Sequence, residues 1–463
     1  MHLVVIGAGP GGYVAAIRAA QYGARVTVIE NQALGGVCLN WGCIPSKALL
    51  SVVELGQRLQ HVGESGLRVQ GAVHYDLPAM VARKNRVVTQ LVQGIATLFQ
   101  AWGITYLYGT GTLLTERVVQ VTAPDGTTIK VDADAIVIAT GSSWPTLPLF
   151  PIDGKQILTS KEALDLTEVP SSLLIVGGGV EGCEFASLFA ALGSRVTMVE
   201  MLSRVLPTED EEVSRLIERE LKKQQVQIYT GTTVERLERG GDLLRVTLHS
   251  GVQFDVSTVL VSVGRRYQTQ GLGLEQVGVQ LGERGEIVVN DHLETTVPGI
   301  YAIGDVVGKA MLAHVASAQG KVAVANAMGR RMSFDDRVIP AGIFTLPEIG
   351  RVGLTEQEAQ AQGIPVKIGR FRYMGLGKAH ATGETIGLFK VVADASTGII
   401  RGVHIIGAHA TDLIHEAALA IKTRTTLAQI GDMMHAHPTF AEGLLEACED
   451  GEGLAIHQVR RRG

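Results

Sequence analysis

The sequence predicts an α/β protein made of two Rossmann-like dinucleotide-binding domains followed by an α+β C-terminal domain. The first ground is the N-terminus, where the apolar run LVVI leads into GAGPGG, a helical stretch and a second strand, ARVTVIE, ending at Glu30. The second is that this unit recurs: Gly177, Gly179, Gly182, Gly193 and Glu200 each stand 170 residues after Gly7, Gly9, Gly12, Gly23 and Glu30. Chance does not produce that register, and a repeat is read as a repeated structural unit. The third is a change of composition near Ser333, after which strand-rich segments carry no glycine fingerprint.

In each fingerprint the first glycine serves the tight turn, the second lets a pyrophosphate approach the backbone, and the third lets helix pack on strand. The acid at the end of the second strand then faces a ribose. Two such units offer two helix N-termini, hence sites for two dinucleotides and a transfer between them.

Between the units, residues from about Ser51 to Thr110 read as helical, with apolar residues three to four apart in VVELGQRLQHVG and MVARKNRVVTQLVQGIATLFQAWG. Alternation at Val118–Thr122 and Ile129–Val131 about the turn Pro124-Asp125-Gly126 predicts a small antiparallel sheet. DAIVIATGS is a buried strand ending at Thr140-Gly141, and Pro145 to Pro151 reads as a linker into the second unit. STVLVSVGRR mirrors that strand and closes the second unit. TTVPGIYAIGD then delivers Asp305 ahead of a long helix, MLAHVASAQGKVAVANAMG. The last domain is expected to hold strands GLFKVVAD and GIIRGVHIIGAHA and helices near 411–423 and 440–456, with VRRRG as a solvated, frayed end.

The chain's 463 residues suffice for two to four domains, and its 56 glycines fit glycine-rich nucleotide loops. A net charge of -5 supplies no field that would draw in nucleic acid or an anionic membrane. No apolar run is read as reaching membrane-spanning length. The first strand begins at Leu3 with no room for a signal peptide, so four cysteines point to a reducing, cytoplasmic setting where a disulfide is catalytic rather than structural.

The chemistry centres on Gly35–Lys47, GGVCLNWGCIPSK. Cys38 and Cys43 are spaced to close a small disulfide ring, and the neighbouring glycines let backbone approach a flat ligand. With Cys183 and Cys448 the only other cysteines and no histidine nearby, a zinc site lacks its four ligands. Two inert buried thiols are the default for an arbitrary pair, and the flanking nucleotide motifs overturn it. Near the C-terminus His437 precedes Pro438, and Glu442 lies five residues on, able to hold the imidazole tautomer as a triad acid does. His435 lacks such a partner and reads as packing, as does Cys183. Cys448 reads as inert. By themselves Lys47 and Glu184 are an ordinary helix lysine and a helix-face acid.

Taken in order, GAGPGGYVAAIRAAQ, GGVCLNWGCIPSK, IVIATGS, GGGVEGCEFAS, TTVPGIYAIGD, FTLPEIGRVGLTE and HAHPTFAEG resemble the dihydrolipoamide dehydrogenases among the flavin-dependent pyridine-nucleotide disulfide oxidoreductases, over essentially the whole chain. The resemblance implies FAD on the first unit, NAD on the second and a homodimer interface in the third, divided as 1–144 and 267–335, 145–266, and 336–463. It makes Cys38 the thiol that meets substrate and Cys43 the thiol beside the flavin, with Lys47 and Glu184 a pair near the flavin ring. Gly111, Thr140, Gly141 and Ser142 join the FAD contacts, as do Asp305 and the stretch Met311, Leu312, Ala313 and His314. Val234 and Gly264 join Gly177, Gly179, Gly182 and Glu200 at the second nucleotide.

His437 and Glu442 become an acid–base pair offered to the other subunit's disulfide. The implied reaction oxidises a dithiol on a lipoylated carrier protein through the cysteine pair and flavin to NAD. The alternative is an NAD(P)H-dependent reductase of another disulfide. Mercuric-type reductases need a C-terminal vicinal cysteine pair, and soluble transhydrogenases lack the second redox cysteine. Glutathione-type reductases place a basic residue where Glu200 stands. A flavin-bearing structural or regulatory subunit is the non-enzymatic reading. The chain departs from the pattern at Ala441, Gln319 and Tyr267-Gln268.

Overall fold

The computed structural model describes residues 1–60 and 62–459, so the expected frayed end lies outside the described residues from Arg460 onward. Two five-stranded parallel sheets carry the two units. In the first, the strand order is Ile300–Ala302, Ala135–Ile138, His2–Ile6, Arg25–Glu30, Thr105–Tyr108. In the second it is Ile157–Leu158, Thr258–Val261, Ser172–Val176, Arg195–Glu200, Gln227–Thr230. The two are in register with the sequence repeat: Ile6 pairs with Ile29 as Val176 pairs with Val199. Both central strands are buried, as a parallel sheet covered on both faces requires.

Each unit also carries a three-stranded antiparallel sheet. The first consists of Thr110–Thr115, Val118–Thr122 and Thr128–Asp132, with Gly126 at φ +86° in the expected turn. The second, Val234–Gly240, Leu243–Leu248 and Gln253–Val256, has no counterpart among the sequence expectations.

The region read as helical holds helices Cys43–Gln60 and Leu77–Ala101, but it ends in the edge strand Thr105–Tyr108. That strand is short and mostly exposed, so no apolar alternation marks it. The stretch Gly36–Gln60 is, contrary to expectation, long and apolar enough to cross a membrane by length and composition. Its backbone breaks at Gly42, and Leu49, Leu50 and Val53 bury into the core that also holds Phe185 and Phe189, so its apolar character serves packing here.

The last domain is an antiparallel sheet ordered Ala341–Ile343, Ile349–Gly353, Ile400–Ile406, Leu388–Asp394, Val366–Arg372. Helices Ala410–Lys422 and Glu442–Glu452 pack on it. The second is shorter than the expected 440–456 because Gly453, at φ +75°, caps it in the left-handed conformation. Fully buried Lys390 of this sheet bonds both oxygens of fully buried Asp210 at 2.9 Å. It also meets Glu212 at 2.8 Å and Glu356 at 2.7 Å. Asp210 and Glu212 begin the helix Glu211–Lys223 of the second unit, so a charged cluster fastens that unit to the last domain.

Candidate active site

The two units meet over one cavity of about 500 Å³, lined from the first unit by its fingerprint turn and the cysteine segment and from the second by Val180, Glu181, Glu184 and Phe185. Cys38 lies in the short helix Gly36–Trp41, and Cys43 opens the next helix. Asn40 holds the short helix by donating to the carbonyls of Leu34 and Gly36, both at 2.9 Å. Pro45 sits third in the following helix, where a missing N–H leaves no bond unmade. Cys38 and Cys43 are joined as a disulfide, with Cα atoms 4.8 Å apart, at the cavity wall. Cys183 and Cys448 are buried free thiols whose burial pushes their pKa values up, so neither offers a thiolate.

Lys47, one turn beyond Cys43, donates to Glu184 Oε2 at 2.6 Å, and Glu184 Oε1 accepts from the Phe344 N–H at 2.9 Å. Lys47 also lies 4.7 Å from the Phe344 ring centroid. The pair therefore ties the cysteine helix, the second fingerprint helix and the start of the last domain at one point. Ser142 donates to Asp305 and accepts from Arg265 Nε at 3.0 Å, while Thr140 donates to the Gln268 carbonyl at 2.7 Å. Lys47, Glu184, Thr140, Ser142, Arg265, Gln268 and Asp305, with Gly111, Gly141, Met311 and Ala313, line the same cavity.

Whether the fingerprints fit dinucleotides is decided by what a side chain would meet at each glycine. A Cβ at Gly7 would stand 2.3 Å from the Ala139 carbonyl oxygen, and one at Gly12 would stand 1.9 Å from the Gly7 oxygen. The second unit repeats this: 2.1 Å from the Ser262 oxygen at Gly177, and 2.0 Å from the Gly177 oxygen at Gly182. The middle glycines differ. No protein atom lies closer than 3.9 Å to a Cβ at Gly9, and none lies within 4 Å of one at Gly179. Protein packing does not demand their smallness, so what it leaves is room for a ligand at the helix end.

Both helices start at these glycines with no side-chain cap, leaving N–H groups for an anion. Glu30 accepts from Ala8 N–H and Gln32 N–H, both at 2.8 Å, and Glu200 accepts from Gly178 N–H at 2.6 Å and Leu202 N–H at 2.7 Å. Each carboxylate keeps further lone pairs for hydroxyl donors. The residues fit one dinucleotide per unit. Arg204, the basic residue nearest Glu200 in sequence, turns its guanidinium to the carbonyls of Pro207 and Glu209.

Several expected residues stand off the cavity wall. Gly12, Gly177, Gly179, Gly182, Glu200 and Gly264 shape or flank the turns behind it. Val234 is buried in the core beneath the second antiparallel sheet. Leu312 caps the long helix Ala313–Ala327, and His314 bonds the Pro340 carbonyl at 2.7 Å. His437 is not brought to Cys38 within the chain. Its side chain is 75% exposed, and its Nδ1 lies 2.8 Å from Glu442 Oε1. Burial works against the ionised Glu442, but the Thr439 N–H and the His437 ring outweigh it and hold the carboxyl below its ordinary range. His435 pairs with Glu416 at 3.0 Å, a partner the sequence did not suggest.

Sequence reasoning missed Glu181, Ser160 and Arg265, which line the cavity, and Trp144, which touches two of them. Trp144 donates to Ser160 at 2.9 Å, and the Arg265 guanidinium lies 4.6 Å from the Trp144 ring centroid. The one signal for Glu181 was the repeat, which aligns it with Gly11.

The pyridine nucleotide-disulphide oxidoreductase family matches residues 1–320, and the dimerisation domain of the same group matches residues 339–448. A dihydrolipoyl dehydrogenase of Chlamydia muridarum is 42% identical over 462 residues, covering 99% of this chain and 98% of the relative. One of Bacillus subtilis is 41% identical, covering 99% and 100%. Among solved structures, LpdA from Mycobacterium tuberculosis superposes with a TM-score of 0.91 at 30% identity, covering 97% of this chain and 99% of that one. The HOCl-induced flavoprotein disulfide reductase RclA from Escherichia coli gives 0.87 at 28%, covering 97% and 99%. A likeness that takes in both nucleotide turns, the cysteine bridge and the last domain has one conclusion: the chain belongs to the pyridine nucleotide-disulphide oxidoreductases.

Proposed function

We propose that the chain oxidises dihydrolipoamide carried on a lipoylated protein, passing the electrons through Cys38–Cys43 and FAD to NAD. The observation that carries this reading is the disulfide set into the wall of a cavity that both nucleotide units share. We assign FAD to residues 1–144 and 267–335, NAD to 145–266, and the dimer interface to 336–463. FAD supplies the step from a thiolate pair to hydride transfer.

The chain's own residues do the rest. A substrate thiolate attacks Cys38 Sγ, the Cys38–Cys43 bond breaks, and Cys43 leaves as a thiolate. The second substrate thiol then attacks the substrate sulfur bound to Cys38, forming the cyclic disulfide and releasing Cys38. His437 takes the attacking thiol's proton at Nε2, because its Nδ1 is engaged by Glu442. Exposed and away from Cys38 in its own chain, His437 is suited to serve a second copy's disulfide. The matched dimerisation domain makes a homodimer the natural assembly. Lys47 and Glu184 hold the cysteine helix against the second unit. Glu200 repels a 2′-phosphate and favours NAD over NADP, with Arg204 committed elsewhere.

The test is NADH formation from lipoylated carriers. Cys38→Ser and His437→Ala chains should each lose dithiol turnover by more than about a thousandfold, and heterodimers reassembled from the two should regain it at one of their two sites. Normal turnover in Cys38→Ser refutes the disulfide route, and mass-verified heterodimers no more active than either parent refute the shared site.

A further inference from the structure

The second fingerprint helix places an acid, Glu181, where the first has Gly11. In the first unit a side chain there would be crowded, since a Cβ would lie 3.1 Å from both the Ala316 oxygen and the Ile303 side chain. In the second unit the side chain exists and faces the cavity, one helical turn before Glu184. Its Oε1 is enclosed and has no hydrogen-bond partner. Such an atom costs stability unless something satisfies it.

The cations nearby are spent. Lys47, on the cysteine helix, pairs with Glu184, and Arg265 donates to the hydroxyl and carbonyl of Ser142 while lying against Trp144. Asp305 takes the Ser142 hydroxyl, and Lys161 of the short helix Ser160–Ala163 lies over the Trp41 ring. Ser160 of that helix is the remaining polar neighbour.

A nucleotide held by the second unit has to bring its redox-active ring to this wall, because here, among the described residues, the second unit faces the cysteine segment across the cavity. The oxidised nicotinamide ring carries a positive charge and the reduced ring carries none. We propose that Glu181 discriminates between the two redox states of the pyridine nucleotide, its carboxylate favouring the cationic oxidised ring over the neutral reduced one. This rests on the assignment of NAD to the second unit.

The protonation logic agrees. Desolvation, reinforced by Glu184, raises the Glu181 pKa against the opposing pull of Ser160, Arg265 and Lys47, so the free site holds a proton above the ordinary carboxylate range. Binding a cation favours the ionised form. Oxidised nucleotide therefore binds with release of that proton to solvent, and its affinity rises with pH until Glu181 is ionised in the free protein. The neutral ring gains nothing from this ionisation. In turnover this weakens the hold on the nucleotide as the ring accepts hydride.

The test uses the full-length, flavin-loaded dimer titrated with NAD and with the redox-inert tetrahydro form of NADH, whose ring is also neutral. Calorimetry of the unaltered protein in buffers of different ionisation enthalpy should show proton release with NAD and not with the neutral analogue. As pH rises through and above the ordinary carboxylate range the affinity for NAD should climb while that for the analogue stays level. Glu181→Gln should abolish the proton release and weaken NAD by roughly tenfold, leaving the analogue unchanged. Absence of proton release in the unaltered protein overturns the inference with no variant needed, as does an equal loss for both ligands in Glu181→Gln. If neither ligand binds the unaltered protein, the nucleotide assignment beneath it falls as well.

Discussion

The two nucleotide units share register, the order of four of their five strands and the geometry of three glycines, and they diverge in what hangs between their strands. From Glu30 to Thr105 the first unit inserts the cysteine helices and a long helix, Leu77–Ala101. From Glu200 to Gln227 the second inserts only a loop and the helix Glu211–Lys223. The duplicated frame supplies places to hold ligands, and the insertion supplies the reacting atoms. The frame itself separates positions fixed by the chain, Gly7 and Gly12 with their counterparts, from positions left open for something else, Gly9 and Gly179.

The severest way to probe that division is to crowd the closed positions. Gly12→Val and Gly182→Val both drive a side chain into a carbonyl oxygen already 1.9 or 2.0 Å from a Cβ. Each should destabilise its unit by more than about 4 kcal/mol, read as loss of flavin-loaded folded protein for the first and as a split thermal transition for the second. Similar melting of both variants and the parent would show that the turns have slack.

A milder change sharpens the contrast. Gly9 and Gly179 have φ of -67° and -75° with extended ψ, a conformation alanine adopts freely. Gly9→Ala and Gly179→Ala should leave thermal stability within about 0.5 kcal/mol of the parent. The first should lose flavin affinity and the second NAD affinity, each by roughly ten- to a hundredfold. Loss of the wrong ligand in either variant would reverse the assignment of the units.

The smallest effect concerns Glu200. Glu200→Gln removes the charge while keeping an acceptor for the two loop N–H groups, so the preference for NAD over NADP should narrow by about tenfold with little change in folding. Comparable catalytic efficiency with both nucleotides in the unaltered protein would show that Glu200 does not discriminate.

The parallel cores and the cysteine bridge were legible because each is written locally: glycines at fixed offsets, buried apolar runs, two cysteines in one segment. The second antiparallel sheet was not, since Val234–Gly240 reads VERLERG and buries only its first residue fully. The far wall of the cavity was also hidden. Arg265 reaches Ser142 across 123 residues, and Trp144 reaches Ser160 from the position just before the stretch read as a linker. Gln268, noted only as a departure, donates to the Gly141 carbonyl through its backbone and to the Ser142 carbonyl through its side chain. Gln319, another departure, is fully buried and accepts from the Gly304 N–H while its amide nitrogen has no partner. Such contacts depend on tertiary placement, which no spacing rule reports.

The Lys390–Asp210 contact bears on how this protein can be recombined. A graft of the last domain from a relative with no lysine at this place, joined in the segment before Ala341, would leave Asp210 without its cation. Removing one partner of a buried ion pair costs about 3–5 kcal/mol, so chimeras that exchange residues near 210 together with the last domain should outlast those that exchange the last domain alone. The segment that is easiest to cut is therefore not a boundary of inheritance.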